Sequence, residues 1–495
     1  MRDWLKSCFP SGRGVFHRRF AELIAELDGR TGFAADQLRL AAALASYRLE
    51  QGEVCLPLAE VAGRSVALGS AEAEAPPMEA PALEDWLAAL RGSPVVSGPD
   101  GEERPLVLTE DGRLYLRRYW NYQQRLLAAL RARAEATGAA PEAVRAQLDR
   151  VFEPPGEEID WQRLAAALAL QRRLSIITGG AGTGKTTTVV KILTALRQLD
   201  GPAVRIALAA PTGKAAARLS EAIRSAKARM TLPAEELDGV PEAASTIHRL
   251  LGVRRHSPAF RHNAEHPLPV DCLVLDEASM VDLALMCKLV AALPPHARLI
   301  LLGDPHQLAA VEAGSVLDEL AGQGANRFSA ECAQWLSAAT GMAVPAAEPA
   351  AAVLADTVVE LQVTHRNTGN IVRLAEAVKR GDAAQALAIL DDPAAADAGW
   401  HPGGDGQWLD AGMQREIRAW FDSYRQAAPA EALARLDDFR VLCAHREGAA
   451  GVGAVNALIE RSLRRAGAIA GGDWYPGRPV MVTRNDYALG LYNGD

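Results

Sequence analysis

A glycine-rich run at residues 179–186 has the residue types and the spacing needed to hold a chain of phosphates. It fits the pattern G-x-x-x-x-G-K-[ST] without a mismatch. Glycines let the backbone curl until several N–H groups point at the same phosphate oxygens. A lysine in this place reaches the β- and γ-phosphates of a nucleoside triphosphate, and a hydroxyl can ligate Mg²⁺. The predicted ATP contacts are Gly179, Gly180, Ala181, Gly182, Thr183, Gly184, Lys185, Thr186 and Thr187. Lys185 is also a predicted catalytic residue, and Thr186 is a predicted Mg²⁺ ligand.

Two adjacent acids supply what a bound triphosphate needs for hydrolysis. Asp276 and Glu277 directly follow the apolar run at 272–275. At the carboxyl end of a buried parallel strand, Asp276 would hold Mg²⁺ and Glu277 would polarise an attacking water. Gln307 follows another apolar run and could sense the γ-phosphate through its neutral amide, although in isolation Asp304 and Gln307 also fit an ordinary turn.

Two further side chains would complete a nucleotide site. Gln162 lies in a predicted helix just before the glycine-rich loop, and its amide can both donate to and accept from adenine. Arg366 follows the predicted strand that begins at Val358. An arginine across a cleft from the nucleotide stabilises charge on the transferring phosphoryl group.

The elements that must position these residues are strands and helices that alternate from residue 159 onward. Apolar runs at 174–177, 204–209, 272–275 and 298–302 predict strands, and helix-like patterns lie between them. This alternation predicts an α/β fold with a parallel sheet, in which ligands bind at the carboxyl ends of the strands.

Polar residues at a second strand end could contact a nucleic acid. Thr212 and Lys214 follow the predicted strand at 204–209, where a hydroxyl, backbone N–H groups and a lysine could bind a phosphodiester backbone. The alternative is that Thr212 only caps the helix that follows. His248, in a helix predicted from residue 245, is either a DNA contact or a structural histidine.

The regions that flank these motifs carry no catalytic cluster. The patterns at 16–27 and 34–49 predict amphipathic helices, the first with Phe16, Phe20, Leu23, Ile24 and Leu27 on one face. We interpret this region as a docking or structural module, with a direct DNA role as the alternative. Toward the other end, residues 439–443, 474–483 and 490–492 are predicted short strands, and Asn493–Gly494 is a predicted hairpin turn.

Composition excludes several classes of protein. A net charge of −8 and a pI near 5.8 argue against a uniformly basic nucleic-acid coat. The six cysteines are scattered without a C-x-x-C pair, which argues against a disulfide scaffold or a zinc site. No apolar run approaches the length of a membrane-spanning helix. We therefore expect a cytoplasmic protein with no membrane partner.

Taken together, these motifs resemble those of superfamily 1 helicases, and they are most similar to the RecD-like alpha subunit of exodeoxyribonuclease V. The stretches that carry the resemblance are 179–186, 210–220, 246–252, 275–279, 303–314 and 364–366. Residues 52–56 and 484–495 are also similar to that subunit.

The resemblance implies a fold and a function. It implies RecA-like parallel-sheet domains that hydrolyse ATP and move along single-stranded DNA from 5′ to 3′, unwinding double-stranded DNA in break repair and recombination. Thr212, Lys214, Thr246 and His248 become expected DNA contacts. The expected division is a mainly helical domain at 1–113 that docks onto the beta and gamma subunits of a heterotrimer, a first RecA-like domain at 114–360, and an incomplete second one at 361–495 that ends in the start of a small β-barrel-like insert.

The last part of the sequence departs from that family. Two further family motifs, one for DNA and one for the nucleotide, follow the Asn-Gly-Asp turn elsewhere and do not follow it here. We therefore expect a chain that is truncated at its C-terminus, with weak or absent unwinding by itself. A stand-alone 5′–3′ helicase and a non-catalytic nucleotide-binding scaffold are the alternatives. Because there is no second acid–acid–lysine cluster, nuclease activity is expected in a partner.

Overall fold

The backbone divides into two compact units, Met1–Arg366 and Asn367–Asp495. The computed structural model describes residues 4–5, 14–66, 78–180, 182–254, 257, 259–307, 313–321, 325–347, 354, 356–363, 369–395, 397–400, 411–483 and 489. The expected boundaries at 113/114 and 360/361 both lie inside strands of the first unit.

The first unit begins with a helical hairpin packed on a small sheet. Its elements are α1 (Gly14–Asp28), α2 (Phe33–Glu50), β1 (Cys55–Pro57), α3 (Leu58–Val61), β2 (Ser65–Val66), β3 (Met78–Glu79), α4 (Leu83–Arg91), β4 (Val96–Ser97), β5 (Leu106–Leu108) and β6 (Arg113–Leu116). The sheet has the strand order β1-β6-β5-β4. Trp86 is fully buried at the centre of this region, and its indole Nε1 donates to the Gln37 carbonyl at 3.1 Å. The region therefore has a hydrophobic core of its own.

The first helix forms where it was predicted, but it buries a different face. Of the five apolar residues expected on one face, Ile24 is buried, whereas Phe16, Leu23 and Leu27 are 67%, 52% and 56% exposed. The buried stripe also contains the small residues Ala21 and Ala25. Small side chains let α1 approach α2 closely, and this leaves the larger apolar residues in solvent.

A six-stranded parallel sheet follows in the same unit. Its elements are α5 (Arg117–Ala134), α6 (Pro141–Val151), α7 (Trp161–Gln171), β7 (Leu174–Gly179), α8 (Lys185–Asp200), β8 (Ile206–Ala210), α9 (Gly213–Arg229), α10 (Ala234–Leu237), β9 (Ala244–Thr246), α11 (Ile247–Leu251), β10 (Cys272–Leu275), a 3₁₀ turn (Ala278–Met280), α12 (Leu283–Ala291), β11 (Arg298–Gly303), α13 (Val316–Ala321), α14 (Ala330–Thr340) and β12 (Val358–Leu361). The strand order is β12-β7-β11-β10-β8-β9, and every neighbouring pair is parallel.

Helices cover both faces of this sheet. Along β10, Cys272 and Val274 enter one core with α6, α7, α8, α9 and α14. Leu273 and Leu275 enter the opposite core with α5, α11, α12 and α13. Successive strand residues point to opposite faces, so a strand buried on both sides is a continuous apolar run. This is the pattern that predicted β7, β10 and β11.

Two details of the sheet differ from expectation. The strand predicted at 204–209 spans Ile206–Ala210, and β9 occupies residues where only a helix start was expected. β9 is a three-residue edge strand with the sequence Ala-Ser-Thr, and it pairs with β8 alone. Because this strand is short and polar, it contains no apolar run from which it could be predicted.

The second unit is helical in its described residues. Its elements are α15 (Asn370–Arg380), α16 (Ala383–Leu390), α17 (Ala411–Arg425), α18 (Pro429–Leu436) and α19 (Val452–Arg465). Phe421, Tyr424 and Leu463 form its small core. The second RecA-like domain expected at 361–495 stays a prediction.

The strands predicted at 439–443 and 474–483 are wrong, because both stretches lack regular structure. Leu442 is 90% exposed. A strand is stable only beside another strand that accepts its hydrogen bonds, and within the described part of this unit no strand lies beside either stretch. The segment at 490–492 and the Asn493–Gly494 turn lie outside the described residues. None of the described helices combines the length and the apolar character that crossing a membrane requires.

Candidate nucleotide and nucleic-acid site

Three neighbouring strands bring the predicted nucleotide residues to one edge of the sheet. β7 ends at the glycine-rich loop, β10 ends before Asp276, and β11, which lies between them, ends before Asp304. Because the strands are parallel, their carboxyl ends meet at the same edge. The strand order therefore places the glycine-rich loop, Asp276 and Asp304 at one edge of the sheet.

The loop has a backbone that glycine alone adopts easily. Gly182 and Gly184 have φ of +81° and +86°, and Gly184 opens α8 from a left-handed conformation. A Cβ on Gly184 would collide with the amide of Gln162, and a Cβ on Gly179 would lie 2.7 Å from Thr183 Oγ1. The glycines of the motif are thus required both by conformation and by close packing.

Lys185 lies across the loop that it follows. Its Nζ donates to the Gly179 and Gly180 carbonyl oxygens at 2.5 and 3.1 Å. The Thr183 hydroxyl also donates to the Gly180 carbonyl, at 3.0 Å. The ammonium group is therefore held at the centre of the loop, beside the first turn of α8, where helix geometry favours an anion. Ala181 lies outside the described residues.

Gln162, in the preceding helix, forms a hydrogen bond to the loop. Asp160 caps α7 by accepting from the Gln162 and Arg163 backbone N–H groups. This places the Gln162 side chain so that its Nε2 donates to the Thr183 carbonyl at 3.1 Å. The side chain is thus at the nucleotide loop, and its expected role in contacting adenine stays a prediction.

The acid pair has an unusual backbone and an unusual charge environment. Burial raises the pKa of Asp276 to about 6, and the Glu277 charge adds to the rise, while the Glu277 N–H and the Lys185 charge oppose it. Glu277 adopts a left-handed φ of +51°, and its N–H donates to Asp276 Oδ1 at 2.9 Å. A non-glycine residue pays roughly 1 kcal/mol for this conformation. Such features are concentrated at functional sites.

Asp304 orients the predicted γ-phosphate sensor, Gln307; in isolation both residues also fitted an ordinary turn. Asp304 is only 7% exposed. One carboxylate oxygen accepts from the His306 N–H at 3.0 Å, and the other accepts from Gln307 Nε2 at 3.4 Å. The spacing of Asp304 three residues before Gln307 was the feature of the sequence that could have predicted this contact. Arg366 lies outside the described residues.

The donor atoms present here fit a magnesium ion with a nucleotide. Mg²⁺ prefers oxygen ligands, usually one or two protein groups together with phosphates. The Thr186 hydroxyl lies at the first turn of α8, and the Asp276 carboxylate is desolvated and close enough to Lys185 to feel its charge. A cleft of about 610 Å³ lies beside the loop, in the size range of small-molecule sites. Its far wall is one face of α9, for which the sequence predicted no role: Arg218, Glu221, Ala222, Ser225 and Arg229.

The residues predicted to contact DNA lie at the next two strand ends along the same edge. Thr212 follows β8, and Thr246 ends β9. Both hydroxyls cap helices: Thr212 Oγ1 accepts from Ala215 N–H at 3.2 Å, and Thr246 Oγ1 accepts from Arg249 N–H at 3.3 Å. The capping interpretation of Thr212 is thus observed, and it leaves each hydroxyl proton available to a ligand.

The two basic candidates of this group are exposed. Lys214 lies in the first turn of α9. His248 lies in α11, with its ring in edge-to-face contact with Phe260 at 5.6 Å between centroids. Their DNA role stays a prediction.

The fold and the phosphate loop define the class of this chain, which is a P-loop ATPase built on a parallel sheet. A family model described as an AAA domain matches residues 162–313. A second, described as the N-terminal domain of RecBCD enzyme subunit RecD, matches residues 16–115.

Curated relatives narrow the class to a family. The chain is 39% identical to RecBCD enzyme subunit RecD of Mycolicibacterium smegmatis, over 96% of this chain and 79% of the relative. It is 33% identical to the same subunit of Haemophilus influenzae, over 96% of this chain and 81% of the relative. It is also 43% identical to the ATP-dependent RecD2 DNA helicase of Deinococcus radiodurans, over 30% of this chain and 18% of that protein. The chain belongs to the RecD family, which confirms the resemblance found in its motifs.

Proposed function

We propose that this chain is an ATP-dependent DNA helicase subunit that acts in DNA recombination and repair. One observation carries the proposal. The phosphate loop, the acid pair and Gln307 lie at the ends of three neighbouring strands. Along the same edge, Thr212 follows the next strand, β8, and Thr246 ends the strand after it, β9. A nucleotide and a DNA strand bound at one sheet edge can be coupled through short, rigid connections.

Each predicted nucleotide residue is assigned a role from its chemistry, and those at the loop and the strand ends also from their position. Lys185 neutralises charge at the β- and γ-phosphates, Glu277 accepts a hydrogen bond from the attacking water, and Gln307, held by Asp304, senses the γ-phosphate. Gln162 holds the loop and contacts the base. Arg366 stabilises charge on the transferring phosphoryl group.

Two residues of this chain could hold a metal ion. Thr186 and Asp276 would hold Mg²⁺, which would supply positive charge to the bound phosphates. The raised pKa of Asp276 fits this role, because the charged form of a desolvated carboxylate is stabilised by a cation.

The DNA strand would cross the β8–β9 end of the edge. Lys214 contributes charge, Thr212 and Thr246 donate from their hydroxyls, and His248 stacks or donates. All four contact one strand, along which the protein moves from 5′ to 3′. This arrangement involves backbone contacts and carries no sequence preference.

The N-terminal region at 1–113 would dock onto the beta and gamma subunits of an exodeoxyribonuclease V heterotrimer in the cytoplasm. Phe16, Leu23, Leu27 and Phe33 support this, because all four are more than half exposed on the α1–α2 hairpin. Exposed apolar side chains in such a group mark interaction surfaces. Residues 114–360 and 361–495 would be the two motor domains.

Hydrolysis with and without DNA tests the proposal. ATP turnover of the full chain is measured alone and with oligodeoxythymidine, for the wild type, Lys185→Ala and the exposed-lysine control Lys379→Ala. We expect DNA to stimulate turnover in the wild type and the control, and Lys185→Ala to reduce it about a hundredfold or more. Nucleotide binding without hydrolysis, or turnover indifferent to DNA, would overturn the assignment in favour of a scaffold.

A further inference from the structure

The turn between α2 and β1 lies in the N-terminal region and contacts the segment that precedes α13. Gly52 has a φ of +91° with open space around it, so glycine is required there by the backbone and not by packing. The Gly52 carbonyl accepts from the Gly314 N–H at 2.9 Å. This hydrogen bond joins two segments that are far apart in sequence.

Val54 extends the same contact. It is half-buried and packs against the core formed by α5, α12 and α13. Two residues later, Leu56 is fully buried in the N-terminal core. This short stretch therefore has one side chain in each core.

The segment that receives Val54 is tightly constrained. Gly314 has a φ of +97°, and a Cβ there would lie 2.7 Å from Leu283 Cβ and 3.0 Å from Val54 Cγ1. The Ala313 carbonyl accepts from the Leu283 N–H at 3.3 Å, at the start of α12. Gly314 is thus enclosed between the N-terminal region and the helix that follows the acid pair.

Three residues further on, the same segment supports both catalytic strand ends. Leu317 is fully buried, and a Cβ on Gly303 would overlap its Cδ2. That Cβ would also lie 3.4 Å from the Ser279 backbone nitrogen. Gly303 ends β11 directly before Asp304, and Ser279 lies two residues after Glu277. A continuous set of contacts therefore runs from Val54 to the residues that face the nucleotide.

We propose that Val54 is a positioning residue for ATP hydrolysis: it holds segment 313–317 behind Glu277 and Gln307, and makes the N-terminal region part of the ATPase. The inference rests on the proposed hydrolysis and names a further residue that controls it. Val54 touches neither nucleotide nor DNA, so it acts only through the geometry of the strand ends. Displacements on the order of 1 Å remote from the chemistry can slow an enzyme by up to about a hundredfold.

The test compares two valines of the N-terminal region in the full chain. Val54→Ala removes two methyl groups from the contact with Gly314. Val61→Ala removes the same groups from a half-buried valine that packs on the N-terminal core. We expect Val54→Ala to lower kcat for ATP about tenfold with KM for ATP nearly unchanged, whereas Val61→Ala keeps the wild-type kcat. Val54→Ile, which retains the branched side chain, should preserve most of the turnover.

Amide hydrogen exchange provides a readout that does not depend on hydrolysis. Peptides covering 303–307 and 313–321 should exchange faster in Val54→Ala and remain at the wild-type rate in Val61→Ala. Faster exchange in a chain that hydrolyses no ATP would keep the positioning role and reject the proposed function. Unchanged exchange and kcat in Val54→Ala, or equal losses of kcat in both variants, would overturn the inference.

Discussion

The two ends of this sheet edge differ in their backbone conformation and in the burial of their charged groups. At the β7–β11–β10 end, Glu277 holds a left-handed φ and burial raises the pKa of Asp276 to about 6. At the β8–β9 end, Thr212 and Thr246 cap helices with ordinary backbone angles. The acid pair at the first end therefore carries backbone strain and desolvation, whereas the two capping threonines at the other end have unstrained backbones.

This difference indicates that the first end is prepared for its ligand before binding, whereas the second end is not. Strain and desolvation persist only where surrounding structure imposes them, and they prepare a site for its ligand. A capping hydroxyl is explained by its helix, so the proposed contact of Thr212 and Thr246 with DNA would form only when DNA is bound. Experiments that separate the two ends should show large effects on hydrolysis at the first and modest effects on DNA affinity at the second.

The largest expected effect is that of Glu277→Gln. Because we propose that the Glu277 carboxylate activates water, removing its charge should lower ATP turnover about a hundredfold to a thousandfold, while nucleotide binding, followed with a fluorescent analogue, persists. The exposed Glu376→Gln on α15 is the matched control and should hydrolyse ATP like the wild type. A Glu277→Gln chain with nearly full turnover would remove this residue from the mechanism.

The next effect concerns stability, measured by urea unfolding in EDTA. Asp276 titrates with a pKa of about 6 in the fold and near 3.8 when unfolded. The carboxyl group is protonated in both states well below 3.8, whereas above 6 it is ionised in both and the fold bears the desolvation cost. Asp276→Asn should therefore raise the free energy of unfolding by roughly 3 kcal/mol at pH 8, and by about a third as much at pH 4.5. An equal gain at both pH values would show that the charge is not its source.

At the other end of the edge, loss of the Thr212 helix cap is expected to change the free energy of unfolding by a smaller amount. Thr212→Ala should lower the free energy of unfolding by about 1 kcal/mol, because the Ala215 N–H loses its acceptor. Thr212→Ser keeps the oxygen and should recover most of that loss. Equal stability of Thr212→Ala and the wild type would show that the cap contributes nothing.

The smallest effect is expected from Lys214→Ala. Losing one phosphate contact should weaken binding of oligodeoxythymidine by a few-fold and lower the salt dependence of the association constant by about one unit of slope. Fluorescence anisotropy at several salt concentrations measures both quantities. A salt slope equal to that of the wild type would place Lys214 away from the DNA backbone.

Much of the nucleotide end could be predicted from sequence, because its determinants are local. The glycines spaced along 179–184 determine the conformation of the loop that they form. The apolar runs before Asp276 and Asp304 indicate strands that are buried on both faces. Parallel strands then bring their ends together without further information.

What could not be predicted depends on contacts between distant residues. The hydrogen bond from Gly314 to Gly52 and the packing of Val54 join segments that no local pattern connects. β9 is too short and polar to predict. The strands expected at 439–443 and 474–483 had suitable side chains, but a strand also needs a neighbour, and sequence pattern does not reveal whether one is present.

The most direct test of the division along the sheet edge is hydrogen exchange of the full chain with each ligand separately. A non-hydrolysable ATP analogue with Mg²⁺ should protect peptides covering 179–187 and 275–280. Oligodeoxythymidine should instead protect peptides covering 211–215 and 245–249. Protection of the same peptides by both ligands, or DNA protection confined to other parts of the chain, would contradict the account.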